Sequence, residues 1–442
     1  MEAEGTNDGL RALFDKFDAS TTASQDRLKR DALRRFLTTE PETDSASSLL
    51  PVDEMEERLA LINQFEAMWK NRFEELTHKS IAEYKPFTDI QVAALVNMDL
   101  LSLRFYMQHE GSGDTILEGL QKLPYLAKIF LAKRPKLEDR AAADIASAMN
   151  IFHPPDPSGT IGIFTSDKTQ HDIDGKAVRN VAQAEKRREL DNFRCILSKT
   201  GRPEVCHIFP YSANAKEGDR KKAAQYLKGT AELYIAGNTV QKSGQIRELF
   251  ASRVGVSDKK WNMISLSPTL HDWWSQPYFA LKCLGTTTIP HDPDEVIQLK
   301  LQFHWMVWRD RPRGKAPQKP LGRLKEEFLA SFRGHCGDAT LPDSNPFAWA
   351  RTSGWAVQTG DIFYISIQNK YAENMKLAFE MQWGLCNIIA MAGGAEVLDD
   401  VGDDPDFLNE RGRLPGLEES MVDAYDEFLR CEAETEIGDN SV

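Results

Sequence analysis

Apolar positions in DEMEERLALINQFEAMWKNRFEEL recur at steps of mostly three and four, at Met55, Leu59, Ile62, Phe65, Trp69 and Leu76, and so predict an amphipathic helix with one apolar stripe. FTDIQVAALVNMDLLSL is almost continuously apolar and opens with Thr88 as an N-cap candidate just after Pro86, which predicts a second, buried helix. KAVRNVAQAEKRRELDNF reads as a charged helix, while RKKAAQYLKGTAELYIAG and GQIRELFASRVG are helix-compatible stretches inside a polar insertion from Ala213 to Lys260. NMKLAFEMQWGLCNIIAMAGG predicts a late helix with Leu377, Met381, Leu385 and Ile388 or Ile389 on one face, stopped by glycines. Alternation marks VIQLKLQFHWMVW and GDIFYISI as strands, and TIGIF is a short apolar run. RCILSKTGRPEVCHIF reads as a hairpin, Cys195 to Ser198 and Glu204 to Ile208, around a turn containing Thr200, Gly201 and Pro203.

These elements describe an α+β chain whose first 152 residues are helical. HPPDPSGT, at 153–160, is dense in proline and glycine and is the best boundary before the middle segment. RDRPRGKAPQKPLGR, from residue 309, is a basic, proline-bearing linker, and the tail from 396 is acidic, with a further helix read near MVDAYDEFLRC. Apolar content of 41% with 27% charged residues is that of a globular protein. No apolar run has membrane-spanning length, and MEAEGTNDGL lacks the basic and apolar parts of a signal peptide, so an intracellular protein of the nucleus or cytoplasm is expected. The six cysteines form no CxxC pair, which argues for a reducing compartment and against a zinc ribbon.

The formal net charge of −13 conceals a split. Residues 176–325 carry 27 Lys and Arg against 14 Asp and Glu, so the middle is basic and the ends are acidic. That asymmetry points to contact with nucleic acid, with Lys186, Arg187, Arg188, Lys221, Lys222, Lys259 and Lys260 as candidate phosphate contacts. The plainer alternative is a set of solvated helix faces.

Phosphodiester hydrolysis needs a base to activate water and a cation to neutralise charge on the phosphate. His207, Asn262 and His271, placed on strand, loop and helix, form an ordered set of this kind, with eight residues between Asn262 and His271. In RCILSKTG, EVCHIFPYS and WNMISLSPTLHDWW followed by FALK, the chain resembles the HNH, or ββα-metal, endonuclease family, in particular the large group of fungal proteins carrying an HNH domain. The resemblance covers roughly 160–397 and implies an HNH nuclease-like domain at 160–310, with a ββα-metal core and a helical insertion. A C-terminal extension at 311–397 and an acidic tail at 398–442 complete the expected division.

By the same resemblance, His207 is the general base, Asn262 a positioning amide and His271 a ligand of a divalent metal, magnesium first, manganese or zinc otherwise. The implied substrate is nucleic acid, DNA ahead of RNA. Two positions depart from the family. Cys206 stands where an acidic ligand often precedes the base, leaving Glu204 as substitute ligand, and Ser275 stands where His or Asp often follows the helical histidine. These departures keep open a catalytically inactive HNH-fold interaction protein with a depleted metal site, and a zinc-binding module using Cys206 and His271. Trp273, Trp274 and Phe279 are assigned to packing.

Overall fold

The computed structural model describes residues 41–45, 49, 53–77, 80–84, 86–108, 112–131, 179–235, 239–275, 278–288, 296–306 and 356–392. The expected boundary HPPDPSGT, the run TIGIF, the linker after 309 and the acidic tail lie outside these residues.

Helix α1, Met55–Thr77, buries Met55, Leu59, Ile62, Phe65 and Trp69 as its periodicity predicts, and adds Phe73 to the stripe. The second predicted helix is two. α2, Asp89–Asn97, starts where Gln91 Oε1 accepts from the Thr88 backbone N–H at 2.9 Å. It ends at Met98, whose ψ of 147° is extended. Asp99 then accepts from the Ser102 backbone N–H at 3.0 Å and starts α3, Leu100–Gln108. The break is satisfied from α1, because the buried Arg58 guanidinium donates to the carbonyls of Val96 and Met98. α4, Ser112–Leu131, follows.

The middle of the chain begins with α5, Val181–Leu190, and reaches β1, Glu204–His207. An insertion at 208–262 carries α6, Glu217–Leu227, and α7, Thr239–Ala251. β2, Met263–Leu266, returns antiparallel to β1 with His207 opposite Met263 and Glu204 opposite Leu266, and α8, Pro268–Ser275, comes directly after. The expected hairpin is therefore corrected. Residues 195–198 form a turn in which Cys195 N–H donates to Thr200 O at 2.9 Å and Lys199 N–H to Cys195 O at 3.0 Å. Lys199 and Arg202 take positive φ values of 57° and 56°, the doubled-back chain forms an isolated antiparallel bridge between Arg194 and Gly201 rather than a strand pair, and β1 finds its partner across the insertion.

β3, Phe279–Thr288, β4, Val296–Trp305, and β5, Ile362–Gln368, form an antiparallel sheet in that order. α9, Ala372–Met391, packs on it. Leu281 N–H donates to Gln382 Oε1, and the Trp383 ring meets His304 and the Lys282 ammonium. Phe279 and Phe303 stack at 5.1 Å between α8 and the sheet, and burying each ring stabilises the fold by about 2 kcal/mol. One continuous apolar core runs from Leu49 through the middle segment to Ala392. Its tightest seams lack side chains. A Cβ on Gly119 would stand 2.0 Å from the Gly229 carbonyl oxygen, and one on Gly384 would stand 2.2 Å from that of Tyr234. Among the described residues no helix is long and apolar enough to cross a membrane.

Candidate active site

β1 ends at His207, and the backbone beyond it is tied to the start of β2. Ile208 N–H donates to Asn262 O at 2.8 Å. The fully buried Asn262 amide does the rest, its Oδ1 accepting from Phe209 N–H at 2.8 Å and its Nδ2 donating to Phe209 O at 2.9 Å and Ser257 O at 3.1 Å. With all three bonds made to backbone, Asn262 fixes the chain just after His207 and leaves no buried polar atom unmatched. Trp274 on α8 adds a fourth restraint by donating Nε1–H to His207 O at 3.0 Å.

The imidazole of His207 lies 2.8 Å from Asp258 through its Nε2, and the two side chains are only 11% and 5% exposed. An ionised carboxylate only accepts, so Nε2 carries the proton and Nδ1 is the basic nitrogen of the neutral ring. Asp258 is itself held, because its Oδ2 accepts from the Asn180 backbone N–H at 2.6 Å at the start of α5. Tyr211 stacks on the imidazole at 5.6 Å, with the Arg179 guanidinium 5.6 Å over the tyrosine ring. The arrangement is a histidine of fixed tautomer and orientation backed by a buried acid, which is what general-base chemistry on a water requires.

His271 is placed separately. Its Nδ1 lies 2.6 Å from Glu204 Oε2, joining α8 to the exposed start of β1. Glu204 and His207 occupy opposite ends of the four-residue β1, three positions apart and so on alternate faces. Each histidine thus has its own carboxylate. Among the described residues no group of three or more His, Cys, Asp or Glu is arranged to hold a metal ion. Glu204 and His271 supply two potential ligands bonded to each other, fewer than a closed four-ligand zinc site needs. Cys206 does not join it, being buried with its thiol 3.5 Å from Ile264 O. Ser275 is buried too, its hydroxyl donating to Asp272 O at 2.7 Å.

Of the expected cations, Arg187 is a correction. It is fully buried, paired with Asp191 and donating to Ser366 O at 3.0 Å, so it ties α5 to β5 and presents no charge to solvent. Asp191 in turn accepts from Ser265 N–H at 3.1 Å. Lys186 is exposed, and Arg188 pairs with Glu185 at 2.8 Å. Lys221 and Lys222 are exposed on α6, and Lys259 and Lys260 are half-buried beside Asp258. Trp274 and Phe279 are core residues as expected, and Trp273 packs edge-on against Trp305. Asp258, Tyr211 and Arg179 are site residues that the sequence reading did not single out. The one signal for Asp258 is an acid set in the otherwise basic SDKK, four residues before Asn262.

Comparison with curated proteins and with solved structures gives no significant match. A family model described as HNH endonuclease matches residues 195–282, a stretch that runs from the turn before β1 through β2 and α8 to the first residues of β3. Residues 195–282 are therefore similar to the HNH endonuclease family.

Proposed function

We propose that the protein is a metal-dependent HNH-type endonuclease that hydrolyses phosphodiester bonds in nucleic acid, with DNA as the preferred substrate. The observation that carries the reading is the His207 and Asp258 pair at the end of β1, inside the segment that matches the HNH family. We read β1, β2 and α8 as the ββα core and 208–262 as its insertion. His207 takes the proton of the attacking water at Nδ1, Asp258 stabilises the imidazolium that forms, and Asn262 holds the backbone that aims the ring. Glu204 and His271, across β1 from His207, would hold the divalent ion, magnesium or manganese, which supplies charge neutralisation on the bound nucleic acid.

The test is nicking of supercoiled plasmid by purified protein. Nicking is expected with Mg²⁺ or Mn²⁺, and its loss is expected with a chelator, in His207→Ala and in His271→Ala. Cleavage that persists in His207→Ala would defeat the reading. A second reading, a catalytically inactive HNH-fold interaction protein, is favoured by Cys206 and Ser275 standing inward and by the absence of a third ligand among the described residues. It predicts nucleic-acid binding without nicking under any of Mg²⁺, Mn²⁺ or Zn²⁺.

A further inference from the structure

Beyond the HNH match, the turn after β5 brings Lys370 and Tyr371 to the same surface as Lys260, and this junction has features that the hydrolytic site does not use. The ammonium groups of Lys260 and Lys370 each lie 5.1 Å from the centre of the Tyr371 ring. Lys260 donates to Gln368 Oε1 at 2.8 Å, a neutral partner rather than a carboxylate. Burial, then the positive charges of Lys186, Lys370 and Arg187, hold the Lys260 ammonium below its ordinary range, with Glu189 acting the other way. The Arg187 charge is already matched by Asp191. What remains is a surplus of cations, Lys260 and Lys370 on one aromatic ring with Lys186 close enough to act on Lys260, an arrangement that costs self-energy until an anion joins it.

The surplus is connected to the candidate base. Lys260 lies two residues from Asp258 in the chain, and its backbone N–H donates to Gln183 Oε1 on α5 at 3.1 Å. α5 starts at the Asn180 N–H that binds Asp258 and presents Lys186 on its exposed side. Six residues of helix separate Asn180 from Lys186, about 9 Å along the axis.

We infer that Lys186, Lys260 and Lys370, with Tyr371 between the last two, form a track that grips the phosphodiester backbone of a nucleic acid beside the cleavage site, so that the segment after β5 supplies part of the substrate-binding surface of a domain whose family match ends at residue 282. This rests on nucleic acid being the partner, as the proposed function has it. The contacts are to backbone and carry no base sequence.

Binding of a short labelled DNA duplex, and of an RNA duplex in a parallel arm, is measured by fluorescence anisotropy across a salt series, in His207→Ala full-length protein to prevent cleavage. Adding Lys260→Gln and Lys370→Gln is expected to weaken binding roughly tenfold near physiological salt and to reduce the slope of log affinity against log salt by about two, one for each lysine. Lys370→Gln alone changes an exposed side chain, leaves the fold intact and is expected to remove about one from the slope. Lys260→Arg with Lys370→Arg is expected to restore both affinity and slope. Unchanged slopes in the glutamine variants, or a parent protein that binds neither duplex, overturn the track. Nicking by wild-type protein is scored separately, so plasmid cleavage with unchanged slopes overturns the track alone, and slope loss without cleavage overturns hydrolysis alone.

Discussion

Asp258→Asn is the most discriminating substitution at the site, because the structure dictates how an amide must sit there. Asp258 accepts two hydrogen bonds, from His207 Nε2–H at 2.8 Å and from the Asn180 backbone N–H at 2.6 Å. A backbone N–H cannot become an acceptor, so the amide oxygen faces Asn180 and the NH₂ group faces His207. Nε2 must then accept, the ring proton moves to Nδ1, and the nitrogen assigned as base is blocked. A wrong tautomer with intact geometry costs a serine-protease-type triad about 10⁴ in rate, and a loss of roughly 10³ to 10⁴ is expected here, about 4 to 5.5 kcal/mol in the barrier. Two charge-assisted hydrogen bonds also become neutral ones, which lowers stability by about 2 kcal/mol. Plasmid-nicking rates under saturating metal measure the first effect and denaturant unfolding the second. A variant that stays folded and nicks within about threefold of the parent would refute the assigned tautomer and, with it, the role of Asp258.

The remaining predictions concern the frame around the site. Arg187→Ala strands the buried Asp191 carboxylate and removes the bond to Ser366 O, so urea unfolding is expected to show a loss of about 3 to 5 kcal/mol, whereas a surface phosphate contact would cost little stability. Gly384→Ala forces a methyl group to within 2.2 Å of the Tyr234 carbonyl oxygen on a packed seam, and a loss of about 1 to 3 kcal/mol is expected in the same assay. Burial, reinforced by the Lys282 charge, lowers the pKa of His304 from 6.5 to about 4. The unfolded chain therefore binds a proton that the folded one refuses between those values. Stability is held above about pH 6.5 and falls as pH drops toward 4, by on the order of 3 kcal/mol in total, and unfolding midpoints of His304→Leu should lack that limb.

The parts of the fold that follow from local periodicity were legible in the chain. The stripe of α1, the Thr88 start of α2, the alternation of β4 and β5 and the amphipathic α9 all stand where apolar spacing put them. Local pattern does not suffice where a nonlocal partner decides. Cys195 to Ser198 is as β-prone as β1, but the strand that completes the pair is β2, and no turn residue near 200 encodes that. Arg187 sits between Lys186 and Arg188 in a run of like charge, and only the roughly 100° step of a helix, together with Asp191 one turn on, turns it inward. Among the candidate site residues, His207, Asn262 and His271 stand out by their order and types, and Glu204 enters as a substitute ligand once Cys206 departs from the resembled family. Asp258 was not, because an acid beside two lysines looks like solvated loop until its burial against Asn180 is known.

The long excursion between β1 and β2 also bears on the order in which the molecule assembles. Closing a loop of about 55 residues is entropically dearer than closing a three-residue hairpin by roughly 2.5 kcal/mol, and two four-residue strands return little by themselves. α6 and α7 pack on each other, contacts that form early because they are close in sequence, and α6 also packs on α4. The strand pair then zips onto an assembled helical platform in a late step, and substitutions in β1 or β2 should accelerate unfolding while leaving the refolding rate nearly untouched.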